Sequence, residues 1–198
     1  MIDYRTDLAL EREQILRERG GGDGYTRKQC QVDEDISVTH ITIISEEGET
    51  AFGRPKGNYI TVEVQGIPEQ KEDIHNRAAR ALAQVLKELI PFHYHLKVLV
   101  AGLGNEKVTP DSLGPHTVDK VKVTSHLFRL YDCDGDWEMG NVSGFNPSVT
   151  GVTGMETADV LQQIIGLVKP EAVIIIDALA ARDVKRMSTT IQVCDTGI

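Results

Sequence analysis

Two short apolar runs decide what this chain can fold into. Leu96–Val100 (LKVLV) and Glu171–Ile176 (EAVIII) are brief, rich in branched side chains and bounded by breakers. That is the pattern of strands buried within a helix-covered sheet. The first run is broken by Ala101–Asn105 with two glycines, and Thr109-Pro110-Asp111 then opens a new element with Pro and Asp where helices begin. The second run delivers Asp177 at its carboxyl end. Open α/β sheets keep their working crevice just beyond the carboxyl ends of their strands. Asp111 and Asp177 are therefore the candidate catalytic residues.

The rest of the chain fits around these runs. Asp7–Arg19 has Leu, Glu and Arg at helical spacing and stops at Gly20-Gly21-Gly22. Ile36–Ser45 alternates branched and polar residues as a half-buried strand does. Glu46–Glu49 reads as a turn, Thr50–Gly53 as the start of a return strand, and Tyr59–Val64 as a further strand, making an antiparallel β meander. Glu72–Leu89 is an amphipathic helix with Ile74, Ala78, Leu82, Val85 and Leu89 on one face. Beyond it the spacing predicts a helix from about Asp111 to Val123, a short extended piece at Leu127–Tyr131 and an acidic surface excursion at Asp132–Val142. A helix at Met155–Val168, the Asp177 strand and a last strand at Thr189–Cys194 complete the order. The α, β, α, β, α, β, β order from residue 72 implies a mainly parallel sheet flanked by helices, within one α/β domain over residues 1–198.

Composition narrows the class. A net charge of −9 argues against a nucleic-acid surface, because phosphate binding needs clustered Lys and Arg. Cys30, Cys133 and Cys194 are far apart and form no CxxC, so they read as reduced thiols rather than a disulfide framework or a zinc site. The N-terminus is charged from its third residue and no apolar run approaches the roughly 18 residues of a membrane span, so the expected setting is the cytoplasm.

Several alternatives are weaker. Gly102-Leu103-Gly104-Asn105 is half of a dinucleotide fingerprint and reads better as a tight strand-to-loop turn shaping the pocket, with Asn105 or backbone amides facing an oxyanion. His93 and His95 have no third metal ligand at usable spacing. Asp132, Asp134 and Asp136 resemble a calcium loop, but the twelfth position is Ser143 instead of Glu. Ser112 and Ser148 lack a G-x-S-x-G setting. Asp195-Thr196-Gly197 matches the Asp-Thr-Gly of pepsin-like and retroviral proteases; those folds need a long β segment after the motif, where this sequence has Ile198, so Asp195 is kept only as a pocket residue. No cofactor and no resident metal is expected. Taken alone, Asp111 could be a helix cap and Asp177 a strand-end carboxylate. Together, two close carboxylates share a proton, the ionised one taking a proton from water and the protonated one donating to a carbonyl oxygen. The same pair could instead hold a divalent ion.

RTDLALE at 5–11, GLGNEKVTPDSLGP at 102–115, GVTGMETADVL at 151–161, IIDALAAR at 175–182 and TTIQVCDTGI at 189–198 resemble the spore germination protease family, in order through nearly the whole chain. The resemblance implies an atypical aspartic endopeptidase that degrades small acid-soluble spore proteins in the spore core. It also implies a zymogen processed at its N-terminus, assembly as a homotetramer, and a fold similar to that of the hydrogenase maturation proteases. The family's two essential aspartates fall on Asp111 and Asp177. Family members continue well past DTGI, so the domain is expected to be incomplete at its C-terminus, and the four residues Met1–Tyr4 before RTDL are fewer than the family's usual propeptide. The runner-up readings are a maturation-type protease, whose corresponding carboxylates bind nickel, and an inactive metal-binding fragment of the same fold.

Overall fold

The structure is a computed structural model that describes residues 6–131 and 139–197. Cys133 and the Asp132, Asp134 and Asp136 cluster lie outside the described residues. In chain order the elements begin with α1 (Ala9–Glu18), β1 (Tyr25–Gln31), β2 (Ile36–Ile43), α2 (Glu46–Phe52), β3 (Gly57–Val64) and α3 (Ile74–Leu89). They continue with β4 (Lys97–Gly102), a 3-10 turn at Thr109–Asp111, α4 (Leu113–Val118), α5 (Ser125–Tyr131), β5 (Asn141–Phe145) and α6 (Thr150–Thr153). The last are α7 (Thr157–Val168), β6 (Ala172–Ile176), a 3-10 turn at Val184–Arg186, and β7 (Thr190–Cys194). They form two compact units, one of residues 1–90 and 179–198, the other of residues 91–178.

The first unit is built on an antiparallel sheet in the order β1-β2-β3-β7. Strand alternation sends successive side chains to opposite faces. Ile36, Val38, Ile60, Val62 and Val64 therefore meet Ile74, Ala78, Ala81 and Val85 of α3 on one face. Ile41, Ile43 and Tyr59 meet Ala9 and Leu10 of α1 and Phe52 of α2 on the other. A β-rich sequence covered on both faces explains why even Thr39 and Thr61, directly paired across β2 and β3, are fully buried.

The second unit holds a parallel sheet in the order β5-β4-β6. Central strand β4 is buried from Val98 to Gly102, as its apolar run requires. Leu161 of α7 packs with Leu99 and Ala101, and Ile164, Ile165, Val173 and Ile175 surround them.

The expected α/β architecture with an antiparallel front is present, but four readings need correction. The sheet is not one mainly parallel layer: β7 pairs antiparallel with β3 and completes the front sheet. The stretch read as a turn and return strand at 46–53 is helix α2, because Ser45 accepts the Gly48 amide at 3.4 Å as N-cap and Glu46, Glu47 and Glu49 fill the first turn. Gly53, with φ +63°, ends it in the left-handed conformation glycine adopts freely. Leu127–Tyr131 belongs to helix α5, and part of the presumed acidic excursion is strand β5, paired in parallel with β4. Strand β1 carries no strand signature in its sequence, because YTRKQCQ has no apolar alternation; it is an edge strand with a mostly exposed burial pattern. Its Arg27 and Lys28 are the kind of charges that discourage pairing with another chain.

Candidate active site

The second unit brings the two predicted aspartates to the same edge of one sheet. Strands β4 and β6 run parallel with Gly102 opposite Ile176, and the Leu103 amide donates to the Ile176 carbonyl at 2.8 Å. Asp177 is the next residue after Ile176. Its Oδ1 accepts from the Ala178 amide at 2.7 Å.

Asp111 reaches this edge through the loop that leaves β4. The Asn105 amide donates to Asp111 Oδ2 at 2.9 Å and to the Asp111 carbonyl at 3.0 Å. The Asp111 amide donates to the Val108 carbonyl at 2.8 Å, and Asn105 Oδ1 accepts the Lys107 amide at 3.0 Å. The loop thus closes on itself and presents Asp111 half-exposed, as Asp177 also is. The backbone amide of Asn105 serves the Asp111 carboxylate, so its role here is to hold that carboxylate through a charge-assisted bond.

Three glycines allow this arrangement. Gly104 has φ +117°, and a Cβ there would lie 2.0 Å from the Asp111 carbonyl oxygen and 3.1 Å from Asp111 Oδ1. Gly114, in α4, would place a Cβ 2.2 Å from the Leu103 carbonyl and 2.6 Å from that of Ile176. The Gly114 carbonyl in turn lies 2.2 Å from where a Cβ on Gly102 would sit. The backbone that follows Asp111 therefore rests directly on the exits of both strands, with no room for a side chain at the contact. Gly102 and Gly104 are the expected pocket residues; Gly114 joins them only in the folded chain. Its mark was the Gly-Pro at 114–115, since a glycine inside a helix is costly unless backbones must touch there.

The other sequence candidates have local duties. Asp195 belongs to the first unit, where Oδ1 accepts the Asn58 amide at 2.8 Å and Oδ2 accepts Asn58 Nδ2 at 2.7 Å. Both oxygens are used to tie the end of β7 to β3. His93 and His95 precede β4, at the amino end of the sheet. There His93 Nε2 is 3.6 Å from Glu171 and the His95 ring meets the edge of Phe128 at 6.0 Å. Ser112 is buried and donates to the Thr109 carbonyl at 3.0 Å. Among the described residues no group of three His, Cys, Asp or Glu side chains is placed to hold a metal ion. Cys30 and Cys194 are free thiols, and no helix among the described residues is long and apolar enough to cross a membrane.

A parallel sheet with helices on it and acidic side chains at its carboxyl edge defines an α/β protein of the strand-end-site class. Comparison with known proteins makes this specific. The model of the germination protease family matches residues 6–198, and the chain belongs to that family. It is 43% identical over 198 residues to a germination protease of Caldanaerobacter subterraneus, covering 100% of this chain and 60% of the relative. A germination protease of Bacillus cereus is 43% identical over 201 residues, covering 98% and 54%. One of Clostridium perfringens is 38% identical over 200 residues, covering 100% and 62%. The chain therefore spans a little over half the length of these relatives.

Proposed function

We propose that this chain carries the aspartate pair of an endopeptidase that degrades small acid-soluble spore proteins during germination, with Asp111 and Asp177 activating water. The observation that supports this reading is the delivery of two half-exposed carboxylates by adjacent strand exits of one parallel sheet. Family membership supplies the peptide substrate class. In the proposed step the ionised aspartate accepts a proton from water as its oxygen attacks the peptide carbonyl carbon. The protonated partner gives its proton to the carbonyl oxygen, and the tetrahedral intermediate then collapses with proton transfer to the leaving amine. Coupled carboxylates titrate as a pair, so acid and base are not divided between the two residues.

The same reading takes the fold to be similar to that of hydrogenase maturation proteases. It takes the working protein to be a homotetramer matured from a zymogen in the cytoplasm of the spore core. These finer points rest on the family resemblance.

The test is cleavage of a purified small acid-soluble spore protein by this protein and by its Asp111→Asn and Asp177→Asn variants, with and without chelator. The expected result is discrete cleavage that chelator leaves intact and that each substitution lowers by at least about a thousandfold, within the range for losing a general acid or base. Absence of cleavage, or cleavage that survives both substitutions, would overturn the proposal.

A further inference from the structure

The chain immediately downstream of Asp177 is held by a set of bonds that the hydrolytic step does not use. Asp7 and Ala180 are bonded in both directions: the Asp7 amide donates to the Ala180 carbonyl at 2.8 Å, and the Ala180 amide donates to Asp7 Oδ2 at 2.9 Å. Glu11, only 3% exposed, accepts the Arg182 amide on Oε2 at 2.8 Å and the Asp183 amide on Oε1 at 2.9 Å. Arg186 Nη1 donates to Glu11 Oε1 at 3.2 Å, and the Thr6 hydroxyl completes the shell. Arg186 Nε also reaches Glu63 at 3.2 Å. Asp7 is itself anchored, since its carbonyl accepts from Arg54 at 2.7 Å and from Gln192 at 2.9 Å.

A buried carboxylate is costly unless every oxygen is satisfied. A solvated loop would supply no reason to bury one. The 6–11 segment instead spends two carboxylates on the amides of residues 180, 182 and 183, three to six positions beyond Asp177 in the chain. We propose that Asp7 and Glu11 are positioning residues for the proposed aspartate site, restraining through the covalent chain the segment that leaves Asp177. This deepens the reading of Asp111 and Asp177 as the working pair and rests on it. It also gives a purpose to the RTDLALE stretch, which supplies no group to the chemistry.

The two carboxylates predict different responses to substitution. Asn at position 7 keeps an oxygen for the Ala180 amide, so Asp7→Asn is expected to stay near wild type while Asp7→Ala is not. Glu11 uses both oxygens as acceptors for amides, and a Gln would turn an NH2 toward one of them, so Glu11→Gln is expected to fail as Glu11→Ala does. The experiment measures kcat and KM for cleavage of a small acid-soluble spore protein, together with hydrogen exchange at the amides of Ala180, Arg182 and Asp183. Asp177→Asn is run as reference. A Val85→Ala variant, a core change in α3 remote from the clamp, serves as the stability control.

The expected result is faster exchange confined to those amides in Glu11→Gln and Asp7→Ala. A ten- to hundredfold lower kcat should accompany it with KM within about twofold, since small misplacements of reacting groups cost on that order. Asp7→Asn should restore both, and Val85→Ala should change neither at equal thermal stability. The inference is overturned if the amides deprotect while kcat holds, or if Val85→Ala lowers kcat as much. Activity that survives Asp177→Asn would overturn the underlying aspartate reading, and the positioning role with it; loss in Asp177→Asn with no loss in the clamp variants would overturn the positioning role alone.

Discussion

At the scale of single residues, the glycines separate positions where backbones touch from positions where they do not. Gly114→Ala must push its new methyl against the carbonyls of Leu103 and Ile176, which are backbone and cannot swing away. Unfolding in urea is expected to show a loss of about 1–3 kcal/mol, the usual cost of overpacking, with reduced cleavage although both aspartates remain. Gly166→Ala is the contrast. That glycine lies within α7 with nothing inside 4 Å of a Cβ and no left-handed backbone, so the same substitution is expected to stabilise the protein by about 0.5–1 kcal/mol. Equal effects of the two substitutions would contradict the close approach at Gly114.

At the scale of elements, the first unit depends on buried carboxylates that join its pieces. Burial works against the charged form of Glu11, but bonds from Thr6, the Arg182 and Asp183 amides and Arg186 together outweigh it and hold its carboxyl below the ordinary range. Bonds from Lys71 and Arg77 do the same for Asp35, which ties the start of β2 to α3. A folded-state pKa lowered in this way gives stability that is fully present above the unfolded value. That stability is lost as pH falls through the folded value. Thermal unfolding followed from pH 6 to pH 3 should therefore show the midpoint falling below about pH 4, where free Asp and Glu begin to protonate. Asp35→Asn should lower the midpoint at pH 6 and flatten that fall; an unchanged slope would remove Asp35 from the account.

At the scale of the whole molecule, the front sheet is closed by a strand that arrives from the far end of the sequence. Ile191 and Val193 of β7 pack on the α3-side core, while Gln192 accepts the Ala9 amide at 2.7 Å on the other face. Ile191→Ala is expected to cost roughly 1–2 kcal/mol, less than the 2–5 kcal/mol of a fully buried site because this side chain is only half-buried. Deleting residues 190–197 is expected to do more, since β3 would become an unpaired edge with Val62 and Ile60 beside it. Size-exclusion chromatography of that deletion should reveal association through the bare edge. An oligomeric state and a stability unchanged from those of the intact chain would show that β7 is dispensable.

The sequence by itself determined whatever depends on local periodicity and breakers. Short branched runs made β4 and β6 strands, the apolar stripe of α3 fixed its buried face, and the position of Asp111 and Asp177 just past strand ends followed from those runs. The resemblance carried by five ordered motifs reached the family without any coordinates. Only the tertiary structure decided which strands pair. The half-buried alternation of Thr190–Cys194 suits either sheet, and the choice of β3 rests on partners more than a hundred residues away. The same holds for Asp195, bonded to Asn58, and for Glu11, bonded to residues 182, 183 and 186. Periodicity records which face of an element is dry, but it carries no record of which distant backbone amides a buried carboxylate must satisfy.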